Sequence, residues 1–326
     1  MAGSWRALRS RILTPDRSAT RLSVRGFHEK SPAARELLET VGGTFLTGYS
    51  YVMEERTVAD AEERLERIPE QFRGFGYEGA AMACAMLDGL RFGNGCKVAD
   101  LLAGRGRHHS YMVYVGVGWA MARLPRFRWA AISPQDPLLR WLALDGYGFH
   151  QAYFRTAKYV HEQYREADFR WPPGNPDRYA DRAIDQGIGR ATWFVGGSAP
   201  EVVADLLDRF PEHRRADLYS GAGLAATYAG GGDEAELAVF WKRAGKYRAQ
   251  VSQASAFAAT ARVEAGLVIP HTELAARFFC DLTPAEAAVL CDEARADRPV
   301  DGAVPAYEVW RERIAERLAG RGGVSA

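Results

Sequence analysis

Long apolar runs are missing from this 326-residue chain. The longest apolar-rich stretch, Tyr111–Leu124, falls short of the roughly 20 residues that cross a bilayer, so no membrane span is expected. No apolar segment follows the basic start, so no secretory signal is expected in the first thirty residues. Cysteine is scarce. Cys84, Cys96, Cys280 and Cys291 form no CxxC and no close Cys/His pair, and read as reduced, mostly buried residues of a cytoplasmic protein. An excess of one charge is also absent: 42 Lys and Arg face 41 Asp and Glu, which removes any global electrostatic case for nucleic acid. The standard catalytic signatures are missing too, with no HExxH, GxSxG, P-loop or DDxxD-like acidic cluster. Gly221-Ala222-Gly223-Leu224-Ala225-Ala226 spells a dinucleotide fingerprint, but Arg215–Tyr219 before it is no hydrophobic strand. His108-His109, with His28 or His271, lack the spacing of metal ligands. The expectation is therefore no cofactor and no metal.

What is present is self-similarity. Tyr77-Glu78-Gly79-Ala80-Ala81-Met82-Ala83 returns 142 residues later as Tyr219-Ser220-Gly221-Ala222-Gly223-Leu224-Ala225. Ile68-Pro69 answers Phe210-Pro211, and a third copy reads Leu144-Asp145-Gly146-Tyr147-Gly148-Phe149. Gly116-Val117-Gly118 matches Gly187-Ile188-Gly189 at an offset of 71. Self-similarity at fixed periods marks stacked supersecondary units, each burying its apolar face on the next.

The units read as helices. Ser31 and Thr57 are expected caps, with Pro32 in the first turn of the helix that Ser31 opens. Val58, Ala61, Leu65 and Ile68 fall on one helical face, as do Val202, Leu206, Leu207 and Phe210. Ser198 is the expected cap of that second helix. The Gly-containing helices are expected to open at the acid-Gly or Ser-Gly steps. Met112–Val117 suits a buried helix better than a strand. Four more helices are expected over 252–265, 271–280, 284–296 and 305–319, the third opened by Thr283-Pro284. The reading is all-α: repeated helix pairs in a curved or toroidal array around a cavity. Residues 1–30, with seven Lys and Arg against Asp16 and Glu29, form a basic arm, either solvated or a docking surface for an acidic partner. Residues 31–326 form one domain. The breaker-rich Asp168–Asp177 loop suggests two lobes meeting near 165–180.

If packing explains the shared pattern, function resides where copies differ. Asp145–Phe154 replaces small residues with Tyr147 and Phe149 and adds His150, so Asp145, His150 and Tyr147 are candidates for proton transfer. Glu78, Asp145 and Ser220 share one repeat position. All three suit a common concave face, and all three also suit helix caps, Glu78 least. Asp185 and Arg190 add polarity to the second Gly-x-Gly copy, as an internal ion pair or a substrate site. Trp119, Phe149, Tyr153, Tyr77 and Tyr219 are candidates to line an apolar pocket.

Arg25-Gly26-Phe27-His28, Gln71-Phe72-Arg73-Gly74-Phe75 and Tyr77–Met82, with Val115–Ala120, Asp145–His150, Asp185–Arg190 and Asp217–Gly223, together resemble the UnbL-type enediyne biosynthesis proteins. That family is also catalogued as a domain of unknown function, number 1702. The resemblance runs from Arg11 to about Leu318. It implies cytoplasmic handling of a linear polyene, or of what it becomes, in actinobacterial enediyne pathways. It supplies no catalytic residues. Three functions follow as expectations: a cofactor-independent enzyme acting on a polyene by acid–base chemistry; a non-catalytic protein that shields the polyene or holds it on an acyl carrier protein; and, less supported, a protonation-initiated cyclase like those of terpenes.

Overall fold

A computed structural model describes residues 15–90, 96–134, 136–171, 174–175 and 178–323. Arg6, Arg9 and Arg11 of the basic arm, and Pro172, Pro173, Pro176 and Asp177 of the central loop, lie outside the described residues. Those described are all-α, with no strand among them.

The main helices are α1 (Pro32–Glu54), α2 (Val58–Leu65), α3 (Glu70–Leu90), α4 (Lys97–Ala103), α5 (Ser110–Met121), α6 (Leu142–Phe154) and α7 (Tyr179–Val195). They continue as α8 (Pro200–Asp208), α9 (Glu212–Tyr228), α10 (Glu234–Ala244), α11 (Arg248–Glu264), α12 (Pro270–Cys280), α13 (Pro284–Ala294) and α14 (Ala306–Leu318). Capping behaves as the sequence suggests at Ser31, Thr57 and Thr283, whose side chains accept from Ala34, Asp60 and Glu286 N–H groups. Ser198 differs. It sits at φ 58, its hydroxyl donates to the Gly231 carbonyl, and Ala199 takes the cap position.

The Gly-containing helices also start earlier than expected. Glu70 opens α3 directly after Pro69, and Glu212 opens α9 directly after Pro211. Glu78, Asp145 and Ser220 are thus interior residues, not caps. An interior glycine costs a helix about 1 kcal/mol relative to alanine, and here close backbone contact offsets that cost. α1, α3, α5, α6, α7, α9 and α11 pack each on the next, and α5 also touches α11. A methyl group built on Gly79 would sit 1.8 Å from the Phe45 carbonyl oxygen. On Gly116 it would sit 2.2 Å from that of Glu78, and on Gly146 2.0 Å from that of Val115. On Gly187 and Gly221 it would sit 1.8 Å from those of Asp145 and Gln186. Gly118, Gly148 and Gly189 make the same contact with the following helix. Each Gly-x-Gly pair therefore brings one helix against two neighbours. This explains why α5 is buried on every side from Met112 to Met121.

The short helices α2, α4, α8, α10 and α12 flank this row. α13 and α14 close on α11. The described part of the basic arm lies against the core: Leu22 and Phe27 are buried, and Arg25 donates to the Tyr153 and Phe154 carbonyls. α6 and α7, on either side of the Asp168–Asp177 loop, pack directly together. No helix among the described residues is long and apolar enough to cross a membrane.

Candidate functional site

A cavity with about 580 Å³ of non-atom space, part of it open solvent, lies between α1, α3, α5, α6 and α7, with Pro15 and Thr20 of the N-terminal segment at its edge. Its walls are mostly aromatic carbon. Trp119 is central: its ring lies 4.6 Å from Phe45, 5.0 Å from Phe149 and 5.5 Å from His150. Phe149 continues to Phe194 at 5.4 Å, and His150 to Phe154 at 4.8 Å. Tyr153 also lines the space. Three charged or titratable side chains reach it: Glu78, His150 and Arg123.

Glu78 is the unusual one. It is 2% exposed, in the middle of α3, and its Oε1 has no hydrogen-bond partner among the described residues. Burial pushes its carboxyl up to about 7, and nearby Asp145 adds to the rise. Arg190 and the Trp119 indole pull the other way without winning. A carboxyl poised there both gives and takes protons near neutral pH. His150 Nδ1 is also unpartnered among the described residues. Burial pushes this imidazole down to about 3, reinforced by Arg123, Arg155 and Arg25, so it is neutral at neutral pH. The Trp119 indole N–H is a buried donor near Glu78 that makes no hydrogen bond of normal geometry among the described residues.

The other sequence candidates fall elsewhere. Asp145 is tied to Arg190 at 2.5 Å, both fully buried, and does not line the cavity that His150 lines. Arg190 therefore does not pair with Asp185. Asp185 instead meets Arg214 at 2.6 Å and Arg165 at 2.9 Å. Tyr147 packs on Trp129 and Phe169, and its hydroxyl accepts from Gln151 Nε2 at 2.9 Å. With Asp185 it borders a second, smaller pocket. Tyr77 and Tyr219 point to the flanking helices. Tyr77 donates to Glu66 Oε1 at 2.6 Å and stacks on His109; Tyr219 donates to Asp208 Oδ1 at 2.8 Å and stacks on Tyr247. Ser220 accepts from Arg311 at 3.0 Å inside a polar cluster of Arg311, Glu308, Asp217, Gln253, Gln186 and Tyr179.

The structure thus brings Glu78, Trp119, Phe149, His150 and Tyr153 to one cavity; the Asp145–Arg190 pair lies behind its wall, with Arg190 Cζ 5.3 Å from the Phe149 ring centroid, while Tyr147, Asp185, Tyr77, Tyr219 and Ser220 do not line it. Sequence reasoning missed Arg123, Phe45 and Phe194 in the cavity, which carry no local signal. It also missed Arg311. That residue had one: with Tyr307, Trp310, Ile314 and Leu318 it interrupts an otherwise apolar helical stripe.

The family described as protein of unknown function (DUF1702) matches residues 4–318. No curated protein and no solved structure matches the chain.

Proposed function

The chain belongs to the DUF1702 family, and we infer that it binds a flat, unsaturated, apolar molecule in the aromatic cavity and moves a proton on it through Glu78. One observation carries this reading: a buried carboxyl with an unpartnered oxygen stands in a wall made largely of aromatic and aliphatic carbon. Apolar pockets with a few placed polar groups are the usual form of a small-molecule site.

The chemistry that fits is a shift of conjugated double bonds. As carboxylate, Glu78 takes a proton from a carbon beside the conjugated system. The C–H electron pair enters the π system, and Glu78 returns the proton to a carbon further along. Atoms and electrons balance without a cofactor. Neutral His150 and the Trp119 N–H offer hydrogen bonds to the displaced charge. The resemblance to UnbL-type enediyne biosynthesis proteins supports a linear polyene as the substrate, a cytoplasmic setting, and an acyl carrier protein as an acidic partner for the basic arm. A second reading, a protein that holds and shields the polyene without reaction, is favoured by the engagement of Asp145 with Arg190, which leaves the cavity one acid.

The architecture supports an internal duplication as well. α2 and α8, the Tyr77–Glu66 and Tyr219–Asp208 bonds, and the contacts of Gly79 and Gly221 recur in the same order. A curved array around the cavity is part of the same proposal.

The test is to add a synthetic linear conjugated polyene and follow its near-ultraviolet spectrum. Wild type is expected to bind and convert it, and Glu78→Gln to bind it with conversion slowed about 10²–10⁴-fold. Equal conversion by the variant rejects the role of Glu78. Binding without conversion by wild type leaves the shielding reading.

A further inference from the structure

Four arginines are buried among the described residues: Arg190, Arg214, Arg262 and Arg311. Three sit against carboxylates, on Asp145, Asp185, and Glu308 with Asp217. Arg262, at 0% exposure the most buried of them, has no carboxylate partner among the described residues. One terminal nitrogen donates to the Gln71 carbonyl at 3.1 Å and the other to the Tyr228 carbonyl at 2.8 Å. Its Nε–H has no partner among the described residues, and its Cζ lies 4.1 Å from the Tyr228 ring centroid. Tyr228 ends α9, so the negative end of that helix dipole supports the guanidinium. Neutral carbonyls and a ring do not cancel a full charge, and a buried unpaired charge is costly.

Arg262 is a wall residue of another cavity, with about 710 Å³ of non-atom space, part of it open solvent. Phe72, Phe75, Leu37 and Ile269 give it flat apolar walls. Pro270 and His271, the first residues of α12, also border it, and no side chain caps that helix. The positive end of a second helix dipole therefore faces the same space. Glu273 in the first turn of α12 is exposed. His271 Nε2 donates to the Ala226 carbonyl at 2.7 Å, which leaves Nδ1 unused by that bond. Burial pushes the His271 imidazole down. Arg262 itself is pushed down by burial, with no carboxylate opposing it.

We propose that Arg262 is the recognition group of a binding site for an organic carboxylate with a flat apolar body. A guanidinium whose buried Nε–H is unpaired matches a planar carboxylate better than a point charge does, once the wall side chains shift to admit it. The apolar body fits against Phe72 and Phe75. The site is distinct from the cavity of Glu78, with which it shares only Phe75 as a wall residue, and it stands whether or not Glu78 moves protons.

The experiment is calorimetric titration of the full chain with three probes: sorbate, the neutral sorbyl alcohol, and inorganic phosphate. Wild type is expected to bind sorbate at least tenfold more tightly than the alcohol and than phosphate. Arg262→Met is expected to lose that preference, and Arg262→Lys to keep part of it. Equal affinity for sorbate and the alcohol in wild type overturns the proposal. So does tighter binding of phosphate, or undiminished sorbate binding by a folded Arg262→Met. Should that variant fail to fold, the wild-type comparison of acid with alcohol decides alone.

Discussion

Glu78 on α3 and Ser220 on α9 occupy similar settings and meet opposite fates. Each follows a tyrosine bonded to an acid at the end of a short preceding helix. Each precedes a glycine pressed on the backbone of the helix before it. Ser220 faces α14, whose Arg311 fills the space and bonds to Ser220, Gln253, Asp217 and Glu308. Glu78 faces a cavity, and one of its oxygens bonds to nothing among the described residues. Buried polar groups are normally paired, and the cluster around Ser220 and Arg311 follows that rule. The exception at Glu78 therefore points to a ligand. Arg262 is the same kind of exception of the opposite charge.

The largest effect that sharpens this contrast is expected at Arg311. Arg311→Met leaves Glu308 and Asp217 with the half-exposed Arg182 as their cation among the described residues, beside the neutral donors Tyr179 and Gln186, and strips Ser220 of its donor. A loss of about 3–5 kcal/mol is expected in urea melts, as for one partner removed from a buried ion pair. A loss below 1 kcal/mol would show that the Ser220 side is not closed by this cluster.

Glu78→Gln is expected to do the reverse. The folded carboxyl titrates at about 7, and the unfolded one at about 4.3. Between those values the folded state binds more protons, so this group lowers stability as pH rises from about 4.3 to 7, and its effect is level above. The penalty is on the order of 3 kcal/mol for a shift of this size. The variant is expected to be more stable than wild type at pH 8 and nearly equal to it at pH 4. His150 has the opposite slope: its stabilisation is full above pH 6.5 and is lost as pH falls toward 3. Subtracting the variant from wild type removes that contribution. A difference curve flat across pH 4–8 would mean that Glu78 is paired as Ser220 is.

The smallest effect is expected at Ser220→Ala, about 1–2 kcal/mol for its bonds from Arg311 and to Gln253, independent of pH and without change in polyene binding. Altered polyene binding by this variant would erase the functional difference between the two positions.

Much of the helical framework was legible in the sequence, because Ser31, Thr57 and Thr283 cap by local rules and the apolar stripes have helical period. The starts of α3 and α9 were not. Glycine inside a helix is locally unfavourable, and only contact with a neighbouring backbone makes the interior of α3 or α9 a good place for it. The cavity was half legible. Phe149, His150 and Tyr153 came from one segment that departs from its copies. Asp145 sits at the edge of that face, about 40° around the helix from Phe149 and about 140° from His150, and its carboxylate is held by Arg190. Asp145 meets Arg190 through tertiary packing, which spacing along the chain does not encode. Glu78 was marked only by being the poorest cap of three.

The glycine contacts bear on how such a site changes over generations. Backbones already touching at Gly79, Gly116, Gly146 and Gly187 leave the helices no slack to spread or close. The volume between them is then set by side chains alone. Exchanging Phe45, Met82 or Phe194 resizes the chamber while its frame stays fixed. In a frame of this kind the shape of the chamber is expected to follow single wall substitutions, with no insertion and no rearrangement of the chain.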